Sequence, residues 1–543
     1  MKHYLKTLEE STRSCRERPS LCDFGGEKYT YGQVANLIGQ MHLAFGSIGI
    51  KKGDKIAICA KNSARWGISF WASNTYQAVT VPILADFTPA SIGRITDHSD
   101  SLILFTDAEI WSNLNPAEMP KLKAAICVKD FSLLYSSSDE VGKAYESGAA
   151  LFQAKYPDGL KPEDIHYPTD NFDEVAIINY TSGTTSDPKG VMLTYKAVSD
   201  IDAFANRRFP NTPEDTMVSM LPMAHMYGLA IEFIHPNVDG VSVTFLGKTP
   251  TPTMLLKAMA QVKPYMVITV PLVMEKIYMK SLKPAMEKVS MKVLLAIPGI
   301  RSLILKKIRQ KLISSFGGKV QSFIMGGAAL NPEAEKCFKK IKLPYTVGYG
   351  MTEACPLLCY EDWRKFVPGS CGKPVHEVRI DSEDPVNVPG EIQAMGDNIT
   401  VGYYKNPEAN EAAVTEDGWF RTGDLGVMDK DCNVFIKGRI KNMFLSASGQ
   451  NVYPEEIEAV AMYMDGVAEC LAVERGGRIV LLVYPDADFY NSMTPEDKSD
   501  WPEKLRFATN KLLPSYSQLA KIELREEPFE KTPKMSIRRF LYK

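Results

Sequence analysis

The sequence is sparing with the residues that build metal and disulfide frameworks. Its 543 residues include seven histidines and ten cysteines, and no two cysteines form a CxxC pair. Cys355 and Cys359 are the nearest pair, and no histidine cluster accompanies them, so neither a zinc site nor a disulfide framework is expected. A run of roughly eighteen apolar residues, the length a membrane-spanning helix needs, is also lacking. Charge of one sign is not in excess: 63 Lys and Arg stand against 65 Asp and Glu, a net of −2. Such a chain has no global field to recruit polyanions, and nucleic acid is not an expected partner. Repeats and low-complexity tracts are missing too. The N-terminal MKHYLKTLEESTRSCRERPS has no apolar core of the signal-peptide kind. A reducing, cytoplasmic setting is the expectation.

What is present is ample core material. Apolar residues make up 45% and charged residues 24%, and at roughly 150 residues per domain the chain allows two to four domains. From about residue 55 to residue 350, β-rich runs alternate with amphipathic stretches. KIAICA (55–60), EVAIINY (174–180), DTMVSML (215–221), YMVITV (265–270), KVQSFIM (319–325) and LPYTVGY (343–349) read as strands. Tyr31 to Ile48 reads as a helix, with Val34, Leu37, Ile38, Met41 and Phe45 at helical spacing. Strands alternating with helices predict an α/β protein with parallel sheets. After Gly350, Pro and Gly punctuate short alternating strands, which predicts a smaller β-rich subdomain. Beyond Lys441 a helix (454–464), a strand (478–484), a helix (502–513) and a basic tail predict a compact α+β unit.

The segment richest in chemistry is YTSGTTSDPKGV, Tyr180 to Val191, directly after a predicted strand. Small hydroxyl residues and a glycine let backbone N–H groups and hydroxyls surround a phosphate, and Lys189 adds positive charge. Taken alone, the same residues make an ordinary polar turn. The spacing is not that of a Walker A loop. Ser186 to Lys189 also matches an SxxK motif, but no KTG or SDN accompanies it.

This loop resembles the phosphate loop of the adenylate-forming superfamily: acyl-CoA synthetases, luciferases and peptide-synthetase adenylation domains. Further motifs follow in the family's order: LPMAHMYG (221–228), GGAAL (326–330), GYGMTE (348–353), GWFRTGDLG (418–426) and GRIKNMFLSASGQNVYPEEIE (438–458). The resemblance extends over nearly the whole chain. It implies a large N-terminal ATP- and acyl-binding domain, residues 1–437, and a small mobile C-terminal domain, 438–543, with a hinge near Lys441. It further implies that Thr181, Ser182, Gly183, Thr184, Thr185 and Lys189 hold phosphates, and that Thr184 and Glu353 hold Mg²⁺. Tyr349 would stack on adenine beside Gly350, Met351 and Thr352. Asp424 would anchor the ribose, and Arg439 would approach phosphate or ribose. His225, Gly326 and Gly327 would line the acyl end, with Gly327 also near the nucleotide, and Gly449 would border the path of pantetheine.

The activity so implied is an ATP-dependent acid–thiol ligase that forms acyl-AMP and passes the acyl group to CoA, releasing AMP and pyrophosphate. SASGQNVYPEEIE and FEKTPKMSIRRFLYK look most like bacterial long-chain fatty acid–CoA ligases. Aryl- or short-chain-CoA ligases and acyl carrier protein ligases stay open, as does a catalytically impaired nucleotide-binding protein. The last reading is prompted by a departure from the family: Ser536 stands where a lysine usually closes the site, with Lys534 two residues away as a substitute. Ser186, where glycine is usual, is a milder departure. Between Lys280 and Lys319 the only acid is Glu287, against ten Lys or Arg. Leu305, Ile308, Leu312 and Phe316 share one helical face there. That pattern fits peripheral contact with an inner membrane face, or a core-facing helix with a solvated basic side.

Overall fold

The computed structural model describes residues 1–181, 188–247, 251–445, 450–531 and 537–542, with Pro252 described by its backbone alone. A seven-stranded sheet forms the first layer, in the order Leu133–Ser136, Ala124–Cys127, Ser101–Thr106, Lys55–Cys59, Val79–Pro82, Val175–Thr181 and Lys189–Thr194. The five inner strands run parallel and the two edge strands antiparallel. Ile56, Ala57, Ile58 and Cys59 are all buried, as a strand covered on both faces requires. The expected helix forms as Tyr31–Ser47, begun by a capping box in which Thr30 and Gln33 satisfy each other's backbone N–H groups. Val34, Ile38, Met41 and Phe45 of that helix enter the core, while Leu37 is partly buried.

Two further sheets carry the other expected parallel strands. Thr216–Ser219, Ser242–Phe245 and Pro19–Asp23 run parallel, with Lys28–Thr30 antiparallel at the edge. Met266–Thr269, Ser322–Met325 and Tyr345–Val347 form a small parallel sheet. The β-rich subdomain is an antiparallel meander of Glu377–Asp381, Gly390–Met395, Phe420–Met428 and Val434–Arg439. All ten cysteines are free thiols, and Cys432 alone is exposed.

The C-terminal residues build a separate core around Val452, Ile457, Leu481 and Trp501. The expected helix at 502–513 instead runs Pro495–Asn510, with Pro502 inside it. Thr494 caps its first turn by accepting from the Asp497 N–H, and Pro495 occupies the first turn, where a missing N–H costs nothing. The stronger start signal wins over the internal proline. Val467–Arg475 and Lys521–Leu524, two strands the sequence reading passed over, flank Arg478–Pro485. In the basic stretch, Leu312 and Phe316 are buried, and Leu305 and Ile308 pack against them. The apolar face anticipated there is therefore a core face.

Candidate active site

The strand Val175–Thr181 delivers the chain to the phosphate loop, and the next strand begins at Lys189. Ser182, Gly183, Thr184 and Thr185 lie outside the described residues. Lys189 sits on the edge strand, which is closed by residues 400–404. Met192 N–H donates to Gly402 O (2.9 Å), Tyr404 N–H to Gly190 O (2.8 Å) and Val401 N–H to Met192 O (3.2 Å). Gly190 has no room for a side chain: a Cβ would lie 2.9 Å from Ile178 and 3.0 Å from the Tyr180 ring.

This pairing sets Tyr403 between two expected site residues. The Lys189 ammonium lies 5.0 Å from the Tyr403 ring centroid, and the Tyr403 hydroxyl donates to Glu353 Oε1 at 3.2 Å. Thr400 N–H donates to Glu353 O (2.8 Å), so the backbone of Glu353 is tied to the same segment. Burial and the neighbouring carboxylate push the Tyr403 phenol well up, which keeps it a donor. Glu353, 9% exposed, thus offers an oriented oxygen in a nearly dry site. A hard carboxylate oxygen beside a lysine suits Mg²⁺ carrying phosphates, so the donor chemistry fits. Glu353 starts from a short turn of helix, Thr352–Ala354, preceded by Gly350 and Met351. A Cβ on Gly350 would lie 1.8 Å from Pro356 O, so only glycine lets this loop fold back on itself.

A second cluster forms around Asp424. Tyr349 Oη donates to Asp424 Oδ2 at 2.7 Å, and Arg439 Nε meets Asp424 Oδ1 at 2.8 Å. Asp424 and Arg439 face each other as a registered cross-strand pair. Burial raises the Asp424 carboxyl above the ordinary range, and Arg439 and Tyr349 oppose that shift. Each carboxylate oxygen retains lone-pair capacity for a further donor. Glu455 reaches this corner from the C-terminal helix Pro454–Ala461, with Asn442 Nδ2 donating to its Oε1 at 2.6 Å. Lys441 is exposed, in the turn between Arg439 and Phe444.

Of the acyl-end candidates, His225 lies on the segment 221–228 and Gly326 and Gly327 follow the strand Ser322–Met325. Asn179 Nδ2 donates to Ala224 O (2.9 Å), and Asn62 both donates to Leu221 O (2.7 Å) and accepts from Met223 N–H (3.0 Å). Fully buried Glu232 accepts from Leu221 N–H, Met220 N–H and the Ser219 hydroxyl at 2.9, 3.0 and 3.2 Å. Burial holds its carboxyl well above the usual range. His225 is half-buried on this segment. Tyr227 Oη donates to Ile324 O (3.1 Å), and its ring lies 3.2 Å from where a Gly326 Cβ would be. A side chain at position 326 would press on that ring. Gly327 adopts φ +86°, a left-handed conformation with open space around it.

The structure therefore brings Lys189 and Glu353 together, and Tyr349, Asp424 and Arg439 together. Gly449 and Lys534 lie outside the described residues. Sequence reading missed Tyr403, Asn62, Asn179 and Glu232. Tyr403 had a signal in VGYYKNPE, a run of aromatic residues opened by a glycine. Asn179 and Glu232 are buried and Asn62 is half-buried, and the partners of Asn62 and Asn179 are distant in the chain.

The model of the family described as AMP-binding enzyme matches residues 8–404. A chloroplastic long-chain-fatty-acid–[acyl-carrier-protein] ligase of Arabidopsis thaliana is 26% identical, over 94% of this chain and 81% of that protein. Long-chain-fatty-acid–CoA ligase 5 of Rattus norvegicus is 29% identical, over 75% of this chain and 62% of that protein. The fold matches that of o-succinylbenzoate coenzyme A synthetase from Bacillus subtilis, solved with ATP and magnesium ion. That TM-score is 0.75 at 19% identity, covering 98% of each chain. With well over half its length matched by the family model and the motif residues assembled in two clusters, this chain belongs to the AMP-binding enzyme family.

Proposed function

We propose that the protein is an ATP-dependent acid–thiol ligase. It joins a fatty acid, of the long-chain class, to AMP and then transfers the acyl group to CoA. The observation that carries this reading is the Lys189–Tyr403–Glu353 arrangement. A cation and a carboxylate oriented by one ring support binding of a nucleoside triphosphate, which needs both.

In the first half-reaction the substrate carboxylate attacks the α-phosphate of ATP and pyrophosphate leaves. Lys189 stabilises negative charge on the phosphates, with its ammonium placed by the Tyr403 ring face. Glu353, with Thr184 from the sequence pattern, would hold Mg²⁺, which neutralises phosphate charge when bound. Tyr349 and Asp424 serve the nucleoside, and Arg439 serves the ribose or phosphate side. In the second half-reaction a thiol attacks the acyl carbonyl, and AMP leaves. His225 and the Gly326–Gly327 turn border the acyl end. Residues 438–543 turn about Lys441 between the two half-reactions, and Gly449 borders the thiol's path.

A second reading keeps the first step and changes the acceptor to the thiol of an acyl carrier protein. It is favoured by the name of the Arabidopsis relative, which spans most of this chain. ATP–pyrophosphate exchange with fatty acids of graded length and an aryl acid tests the first step. Thioester formation with CoA against acyl carrier protein then separates the acceptors. No exchange with any acid would overturn the ligase reading in favour of a nucleotide-binding protein.

A further inference from the structure

Six of the exposed large apolar residues fall within fifteen consecutive positions, 289–303. Val289 is 78% exposed, Val293 59% and Leu303 62%, and Leu294, Ile297 and Ile300 are exposed between them. They lie on a helical hairpin: Val289–Ala296 leads through Pro298 and Gly299 into Ile300–Ser315. Gly299 makes the turn at φ +84°, with open space where a Cβ would be. The first helix buries none of its residues. The second is anchored at its C-terminal end alone, by Leu312 and the partly buried Leu305, Ile308 and Ile313. The tip of the hairpin is thus an apolar edge held out on a fixed base.

Along the chain, beyond exposed Glu287, the charge of this edge has one sign. No acid occurs from residue 288 to residue 332. Lys288, Lys292, Arg301, Lys306 and Lys307 are all exposed beside the apolar residues. Contiguous exposed apolar surface is uncommon on monomers and marks an interaction face. Two such tips would repel one another, whereas an anionic surface would attract either. The helix Val289–Ala296 has eight residues, far too short to cross a bilayer, and no helix among the described residues is long and apolar enough to cross one. A short basic helix with an apolar edge lies in the plane of an interface.

We infer that the hairpin 289–303 is a peripheral docking element for anionic phospholipid bilayers. Val289, Val293, Ile297, Ile300 and Leu303 enter the boundary between headgroups and acyl chains, and the five cations pair with lipid phosphates. This face differs from the one the sequence pattern suggests: Leu305, Ile308, Leu312 and Phe316 serve the protein's own core. The inference rests on the surface itself and does not depend on which acid the enzyme activates.

The test is co-sedimentation of the full chain with vesicles of phosphatidylcholine containing about 30% phosphatidylglycerol, compared with pure phosphatidylcholine, at low and high salt. Binding should be at least about tenfold stronger to the anionic vesicles and should fall with salt. The V293D/L303D double variant should lose about tenfold or more of that binding. Both side chains face solvent, so the variant should keep its circular dichroism and its ATP–pyrophosphate exchange. Wild-type protein that stays in the supernatant at low salt overturns the inference, as does a double variant that sediments like wild type. A wild-type dimer that becomes monomeric in V293D/L303D without vesicle binding would instead make the tip a self-association face, and the lipid assignment would be wrong.

Discussion

The Tyr403 hydroxyl donates to Glu353 Oε1 at 3.2 Å, and the face of the same ring carries the Lys189 ammonium. One side chain thus orients both charges that we propose act on the phosphates. A hydrogen bond to a charged group is worth about 1.5–3 kcal/mol, and an exposed cation–π contact about 0.5–1 kcal/mol. Tyr403→Phe removes the first and keeps the second, and Tyr403→Ala removes both. ATP–pyrophosphate exchange should fall by roughly tenfold in the first variant and further in the second. Equal, near-normal rates in both would show that the ring has no part in orienting the site.

Glu353→Ala removes the carboxylate itself. Turnover should drop by about a hundredfold or more, as for loss of one strong charge stabiliser. Raising Mg²⁺ should not restore it. Exchange at the wild-type rate would remove Glu353 from the metal-holding role.

Asp424→Asn keeps the shape but weakens the partner of Arg439 and the acceptor for Tyr349. The KM for ATP should rise by about tenfold, with a smaller change in the dependence on acid concentration. A change confined to the acid would place Asp424 elsewhere in the reaction.

Two carboxyls, half-buried Asp239 and buried Glu335, give the stability a pH signature. Burial, with the charge of Asp202 added, raises Asp239 to about 6, and burial raises Glu335 to about 7. An acid with a raised folded pKa binds its proton more tightly when folded, so folding is favoured as the pH falls through that value. Stability should therefore decline as pH rises from about 4.5 to 7, with at most about 1.4 kcal/mol per pH unit from each group. In Glu335→Gln the slope between about 5 and 7 should flatten, as read by denaturant midpoints across pH. An unchanged slope would assign the dependence to other groups.

Lys534 stands two residues before Ser536, the position where the family pattern has a lysine. A lysine stem can make up much of that offset. Lys534→Ala should slow the adenylation half-reaction and spare thioester formation from a supplied acyl-AMP. If Ser536→Lys alone creates adenylation from none, the natural chain is a binder and the substitution by Lys534 is wrong.

Much of this molecule could be read from local chemistry. The parallel strands appeared as apolar runs, and the helix Tyr31–Ser47 as helical spacing of its apolar residues, because those signals lie within a few residues. Lys189, Glu353, Tyr349 and Asp424 stand in motifs whose order is informative. Their mutual distances are not local quantities. Tyr403 reaches Glu353 only because residues 400–404 pair with the edge strand, a contact across about two hundred residues of chain. Glu232, seen in sequence, is one acid in an apolar run, and its three donors come from the turn at 219–221. Pro502 misled for the opposite reason: a local breaker was outweighed by a local cap at Thr494.

The backbone pairing of residues 190–192 with 401–404 stitches the β-rich subdomain to the rim of the largest sheet. Lys189, Tyr403 and Glu353 consequently travel as one piece. To separate them, the chain would have to surrender several main-chain hydrogen bonds at once. Successive main-chain bonds of this kind open cooperatively or not at all under native conditions. If the reaction runs as proposed, reshaping between its two steps falls downstream, where Arg439 gives way to the exposed turn at Lys441. The piece that carries Lys189, Tyr403 and Glu353 then serves as the fixed anvil for that movement.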